Sequence, residues 1–104
     1  MMQHKYKEIK RFEVTKDYSQ THMTNFMENS IVKGLPGFES IEMGLNSSNP
    51  DYDLVVISFT WENKEAFMNF KKSDVHLQSH KKRTPNPKIL KYSAMHFEVT
   101  DEWN

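Results

Sequence analysis

The sequence predicts an α+β domain in which helical segments interrupt four strands. Three observations carry this: apolar and polar residues alternate with period two in four stretches, the spacing switches to three and four between them, and clusters of Gly, Pro, Asn and Ser separate the pieces. At 104 residues the chain has room for one hydrophobic core, so residues 1–104 are read as a single domain.

From Tyr6 to Thr15 the chain alternates, with Ile9, Phe12 and Val14 set among Lys, Arg and Glu, which predicts a first strand. Asp17 or Ser19 is expected to cap a helix whose face is Met23, Phe26, Met27 and Ile31, ending at Gly34 because Leu35-Pro36-Gly37 cannot continue it. Phe38 to Leu45 reads as a half-buried second strand, and Asn46 to Asp51 as a turn. Leu54 to Trp61 is the most apolar segment, expected as a central strand hairpinned to the second.

After Trp61 the period becomes helical: Asn63 is an N-cap candidate, with Ala66, Phe67 and Phe70 on one face. Ser73, Asp74, Val75, His76, Leu77 and His80 suggest a second short helix, and Thr84-Pro85-Asn86-Pro87 a rigid connector. A last strand runs from Ile89 to Val99. This order is the split β-α-β plan of a ferredoxin-like α+β fold, with helices on one face of an antiparallel sheet. The other face then needs a cover, and a second copy packed sheet to sheet is the expected one, with Val56, Phe59 and Phe97 losing exposure. Glu39, Glu42 and Glu98 must then find solvent or the rim.

Lys and Arg number 14 and Asp and Glu number 14, so the basic excess of a nucleic-acid or anionic-membrane binder is missing. Lys71-Lys72 and Lys81-Lys82-Arg83 read as a solvated helix face. The absence of cysteine excludes disulfides, zinc-thiolate sites, iron-sulfur clusters and thiol nucleophiles. Met1 to Lys10 lacks the apolar centre of a signal peptide, and no stretch approaches the ~20 apolar residues that span a bilayer. A cytoplasmic protein is expected.

His76 and His80 stand four apart and share a helix face. That spacing leaves open a metal site or two polar histidines on a short amphipathic helix; a metal site needs further ligands, and no His-Glu-x-x-His pattern occurs. A haem iron, by contrast, can be held by one protein imidazole. Trp61, Phe67 and Phe70 place aromatic rings nearby; core packing explains the first two, and Phe70 is equally suited to the wall of a pocket for a flat apolar ligand. The three glycines, Gly34, Gly37 and Gly44, form no phosphate loop, and Ser73, Asp74 and His76 lack the strained turn of a nucleophilic serine.

The block Phe59-Thr60-Trp61-Glu62-Asn63-Lys64-Glu65-Ala66-Phe67, then Phe70, Lys72-Ser73-Asp74 and His80, resembles the antibiotic-biosynthesis monooxygenase superfamily. Within it the similarity is closest to bacterial haem-degrading monooxygenases of the iron-regulated surface determinant type. The Leu35-Pro36-Gly37-Phe38 turn belongs to the same likeness. The resemblance implies a homodimer whose two sheets form a shared β-barrel, with a pocket between helices and sheet in each subunit. It implies haem as cofactor and His80 as axial ligand to its iron, with His76 one turn earlier as the rival.

Those relatives also use an asparagine on the first strand and a tryptophan on the preceding helix; the matching positions here are Lys10 and Phe70. Lys10 brings a charge on a long stem where the family has a hydrogen-bonding amide. Phe70 is smaller than tryptophan and lacks its N–H. Two kinds of function follow: an oxygen-dependent monooxygenase that degrades haem, or a non-catalytic haem-binding or stress-response protein. A cofactor-free monooxygenase on an aromatic or quinone-like substrate is the relative of the first.

Overall fold

The computed structural model describes residues 4–74, 76–77 and 85–102. Its elements are β1 (Tyr6–Val14), α1 (Ser19–Glu28), β2 (Phe38–Asn46), β3 (Asp53–Trp61), α2 (Lys64–Lys72) and β4 (Ile89–Glu98). The four strands form one sheet in the order β2-β3-β1-β4, and every neighbouring pair is antiparallel. This is the ferredoxin-like arrangement. Within one chain the sheet is open, with β2 and β4 at its edges.

Strand periodicity sorts the residues into two faces. On β3, Asp53, Val55, Ile57, Phe59 and Trp61 are buried while the residues between them are half-exposed. The register sets Tyr6 opposite Trp61, Glu8 opposite Phe59 and Phe12 opposite Val55, so those positions of β1 share the covered face. Phe26 of α1 meets Phe59 edge-on at 5.9 Å, and Phe70 of α2 stacks on Trp61 at 5.2 Å, which places both helices on that face. Phe59, expected on the open face, is therefore a core residue at 4% exposure: its parity along β3 is that of Trp61, not of Val56.

Helix α1 begins without a side-chain cap. Asp17 pairs with Lys88, and the Ser19 hydroxyl donates 2.7 Å to the buried Asp53, so both expected caps are used elsewhere. The helix also stops at Glu28, well before Gly34: the backbone N–H and the side chain of Asn29 both donate to the Asn25 carbonyl and close its last turn. Val32, just beyond, then drops into the core at 3% exposure.

Helix α2 follows its sequence closely. Asn63 caps it by accepting from the Ala66 N–H at 2.9 Å, Glu65 sits in its first turn and Lys71 and Lys72 in its last. Its entry depends on Gly37, whose φ of 81° lies in the left-handed region and where a Cβ would stand 2.4 Å from the Ala66 Cβ. No helix among the described residues is long and apolar enough to cross a membrane.

The uncovered sheet face carries Ile9, Val56, Met95 and Phe97, with Met95 57% and Phe97 40% exposed. Glu39, Glu42 and Glu98 are all exposed, as expected of carboxylates on edge strands.

Candidate functional site

A cavity of about 260 Å³ opens between the sheet and the two helices. β1 contributes Glu8 and Lys10, β3 contributes Phe59, and α1 contributes Phe26 together with the 29–32 segment that follows it. Phe70 of α2 and His76 close the wall. Three residues singled out in the sequence, Lys10, Phe70 and His76, thus come together from distant parts of the chain. His80, with the run Lys81-Lys82-Arg83, lies outside the described residues.

His76 is held in place locally. Ser73, the C-terminal residue of α2's cap, donates its hydroxyl to the Phe70 carbonyl at 2.6 Å and accepts from the His76 N–H at 3.2 Å. This restarts helical backbone at Asp74, His76 and Leu77 and turns the imidazole inward, 8% exposed. The ring meets Phe70 edge-on, 4.8 Å between centroids. Ser73 therefore works as a joint, which is the physical use of the Ser73-Asp74 pair.

The charges at the site were not legible as a set in the sequence. Glu8 is buried at 5% exposure, and its carboxylate lies 2.9 Å from the Lys71 ammonium. Lys71 also sits over the rings of Phe67 and Phe70, at 5.3 and 5.9 Å. Lys10 takes the next inward position of β1 after Glu8, and its ammonium stands over Phe59 at 5.4 Å and Phe26 at 5.8 Å. The signal for Glu8 and Lys10 is parity: both fall in step with Tyr6 and Phe12, so both carry charge onto the covered face.

A wider cavity of about 610 Å³ lies beside the first, between α1 and β4, and Phe26 and Asn29 line both. His22 lines it too, packed edge-on against Phe12 at 4.4 Å. Burial lowers the His22 pKa by penalising the imidazolium. Its Nε2 and the Trp61 Nε1 have no hydrogen-bond partner among the described residues.

Trp61 and Phe67 are each 1% exposed and touch edge-on at 6.3 Å, so both are core residues, as their sequence positions implied. Among the described residues no group of three or more His, Cys, Asp or Glu is placed to hold a metal ion. The lining contributes one imidazole, that of His76, edge-on to the Phe70 ring, and one protein imidazole is a donor set that can hold an iron already bound in a macrocycle.

Residues 6–82 match the family model described as antibiotic biosynthesis monooxygenase. The haem oxygenase (staphylobilin-producing) of Staphylococcus epidermidis is 36% identical over 72 residues, 68% of each chain. Among solved structures, a Bacillus cereus protein assigned to the antibiotic biosynthesis monooxygenases superposes with a TM-score of 0.83 at 21% identity, covering 97% of this chain and 98% of its own. The haem degrader MhuD of Mycobacterium tuberculosis, solved with two haems bound in its active site, superposes with a TM-score of 0.68 at 22% identity, covering 95% and 99%. By its sequence, this chain belongs to the antibiotic biosynthesis monooxygenase family.

Proposed function

We propose that the chain, a single cytoplasmic domain over residues 1–104, binds haem in the cavity between α1, α2 and the sheet and degrades it with oxygen. The observation that carries this reading is the convergence of Lys10, Phe70 and His76 on one cavity in a chain that is 36% identical to a haem oxygenase. Bound haem would supply the oxygen and redox chemistry.

The chain's own residues do the rest. His80 is the proposed iron ligand, by its match to the family position. His76 and Phe70, packed edge to face, form an aromatic corner of the cavity. Lys10, its ammonium over the rings of Phe26 and Phe59, supplies a cation for an acidic substituent of the ligand. The Glu8–Lys71 pair ties α2 to β1 and keeps Phe70 against the cavity. About 260 Å³ is below the range of about 300 to 1,000 Å³ usual for ligand sites, so a macrocycle needs a wall to move. Phe26, shared with the wider cavity, is that wall.

The working unit proposed is a homodimer closed through the uncovered sheet faces into a barrel, supported by the exposed Met95 and Phe97 there.

A second reading, a haem binder without turnover, is favoured by Lys10 and Phe70, which replace the family's amide and indole. A smaller flat apolar ligand handled without cofactor is favoured by the cavity's size. Titration of the purified protein with haemin, then a reductant in air, separates the three. A shifted Soret band that bleaches supports the enzyme, a stable shifted band supports the binder, and an unshifted spectrum removes haem.

A further inference from the structure

A row of aromatic rings leads from the wall of the cavity across the strands to the β4 edge of the sheet. Phe70, on the wall, stacks on Trp61 with centroids 5.2 Å apart and planes 27° apart. Trp61 and Tyr6 are cross-strand partners on β3 and β1, and the Phe67 ring lies 6.3 Å from the first and 5.0 Å from the second. The row ends where the Tyr6 hydroxyl hydrogen-bonds to Nδ1 of His96 on β4. Tyr6 is buried at 4% exposure, whereas His96 faces solvent.

The two oxidisable rings differ in what they can do with a proton. Indole Nε1 is a donor only, and that of Trp61 is buried without a partner among the described residues. An electron taken from Trp61 therefore leaves a radical cation with no acceptor for its proton among the described residues. Tyr6 has an acceptor already in hydrogen-bond contact, the geometry that proton transfer requires. His96 in turn can pass a proton to water, and the Glu8 carboxylate, its cross-strand partner, faces it from β1, with Lys71 paired to Glu8.

We propose that Tyr6 and His96 form a proton-coupled exit for oxidising equivalents that arise in the Phe70 cavity. An oxygen-derived one-electron oxidant in the cavity takes one electron from Trp61 by way of the stacked Phe70 ring. Tyr6 returns one electron to Trp61. The phenolic O–H bond breaks, the proton goes to His96 Nδ1, and a neutral tyrosyl radical and an imidazolium remain. A soluble reductant of the thiol or ascorbate class restores Tyr6 with one electron, and the proton returns from His96. The device keeps a stray oxidant from attacking the cavity's own side chains. It rests on the reading that oxygen chemistry occurs in that cavity, but its ring geometry is tested without haem.

The chain contains no cysteine, so Leu77→Cys, at a position 50% exposed beside His76, can carry a single ruthenium polypyridyl photo-oxidant. Replacing Tyr18, Tyr52, Tyr92 and Trp103 by Phe leaves Tyr6 and Trp61 as the sole residues of their kinds. Flash oxidation of this labelled, haem-free protein, followed by freeze-quench electron paramagnetic resonance, is expected to give a tyrosyl radical. Adding Tyr6→Phe should leave only a tryptophan radical-cation signal, and His96→Gln should lower the tyrosyl yield several-fold, with circular dichroism confirming the fold of each. A parent protein without tyrosyl signal, or a tyrosyl yield unchanged by His96→Gln or Trp61→Phe, would overturn the proposal. Neither result bears on whether haem binds.

Discussion

The Lys71 ammonium lies 2.9 Å from the buried carboxylate of Glu8, and the pair joins α2 to the covered face of β1 beside the cavity. The two ends differ in exposure, 7% for the Glu8 side chain and 27% for Lys71. Losing the cation strands a charge out of water, while losing the anion leaves an ammonium that reaches solvent.

Lys71→Met is therefore expected to cost more than Glu8→Gln, about 1 to 3 kcal/mol as for a buried group left unsatisfied. The double change Glu8→Leu with Lys71→Met should recover most of the loss. Urea unfolding of the three variants measures this, and equal costs for both single changes would show that the asymmetry is wrong.

Trp61 touches Phe38, Phe67 and Phe70 and is 1% exposed, so Trp61→Ala should destabilise by about 3 to 5 kcal/mol with or without ligand. Gly37→Ala should cost about 1 to 3 kcal/mol from its left-handed backbone alone, with the 2.4 Å approach to the Ala66 Cβ adding to it. Thermal melts that stay at the parent temperature would contradict either.

Two groups on the covered side of the sheet contribute to the acid limb of stability. Burial depresses His22 below its ordinary value of 6.5, so the unfolded chain takes up that proton first, and stability present above this value is lost as pH falls below it toward the folded value. Hydrogen bonds from Ser19 and Lys16 hold Asp53 below its ordinary 3.8; its contribution is present above that value and lost as pH falls through the lower folded one. His22→Phe should flatten the near-neutral part of a stability-against-pH curve, and Asp53→Asn the more acidic part. A curve that keeps its shape in both variants would remove these assignments.

The uncovered sheet face should make the chain a dimer at micromolar concentration. Met95→Glu, placing a charge among Ile9, Val56 and Phe97, should shift sedimentation toward a monomer. A parent protein that sediments as a monomer would contradict the barrel.

Much of the fold was legible because period and turn chemistry agree. β3, Asn63 as a cap and the β4 start at Ile89 follow from local sequence alone. The expected caps of α1 serve tertiary partners, Ser19 turning to Asp53 and Asp17 to Lys88, and its far end closes at Asn29 rather than at Gly34. Phe59 was assigned to the wrong face through its parity. At the site, Lys10 follows from likeness to a family pattern, Phe70 from that likeness and from helical spacing, and His76 from its spacing to His80, whereas the Glu8–Lys71 pair required knowing that α2 crosses β1 at that point. No local spacing encodes a contact between residues so far apart in the chain.

The measurement that bears most directly on haem ligation is the visible spectrum of haemin-loaded protein with His80→Ala and with His76→Ala. The expected result is a lost or sharply weakened Soret shift in the first and a largely unchanged spectrum in the second. Equal binding with the same spectrum in both would take His80 out of the site, and with it the main reason for preferring haem over another flat ligand.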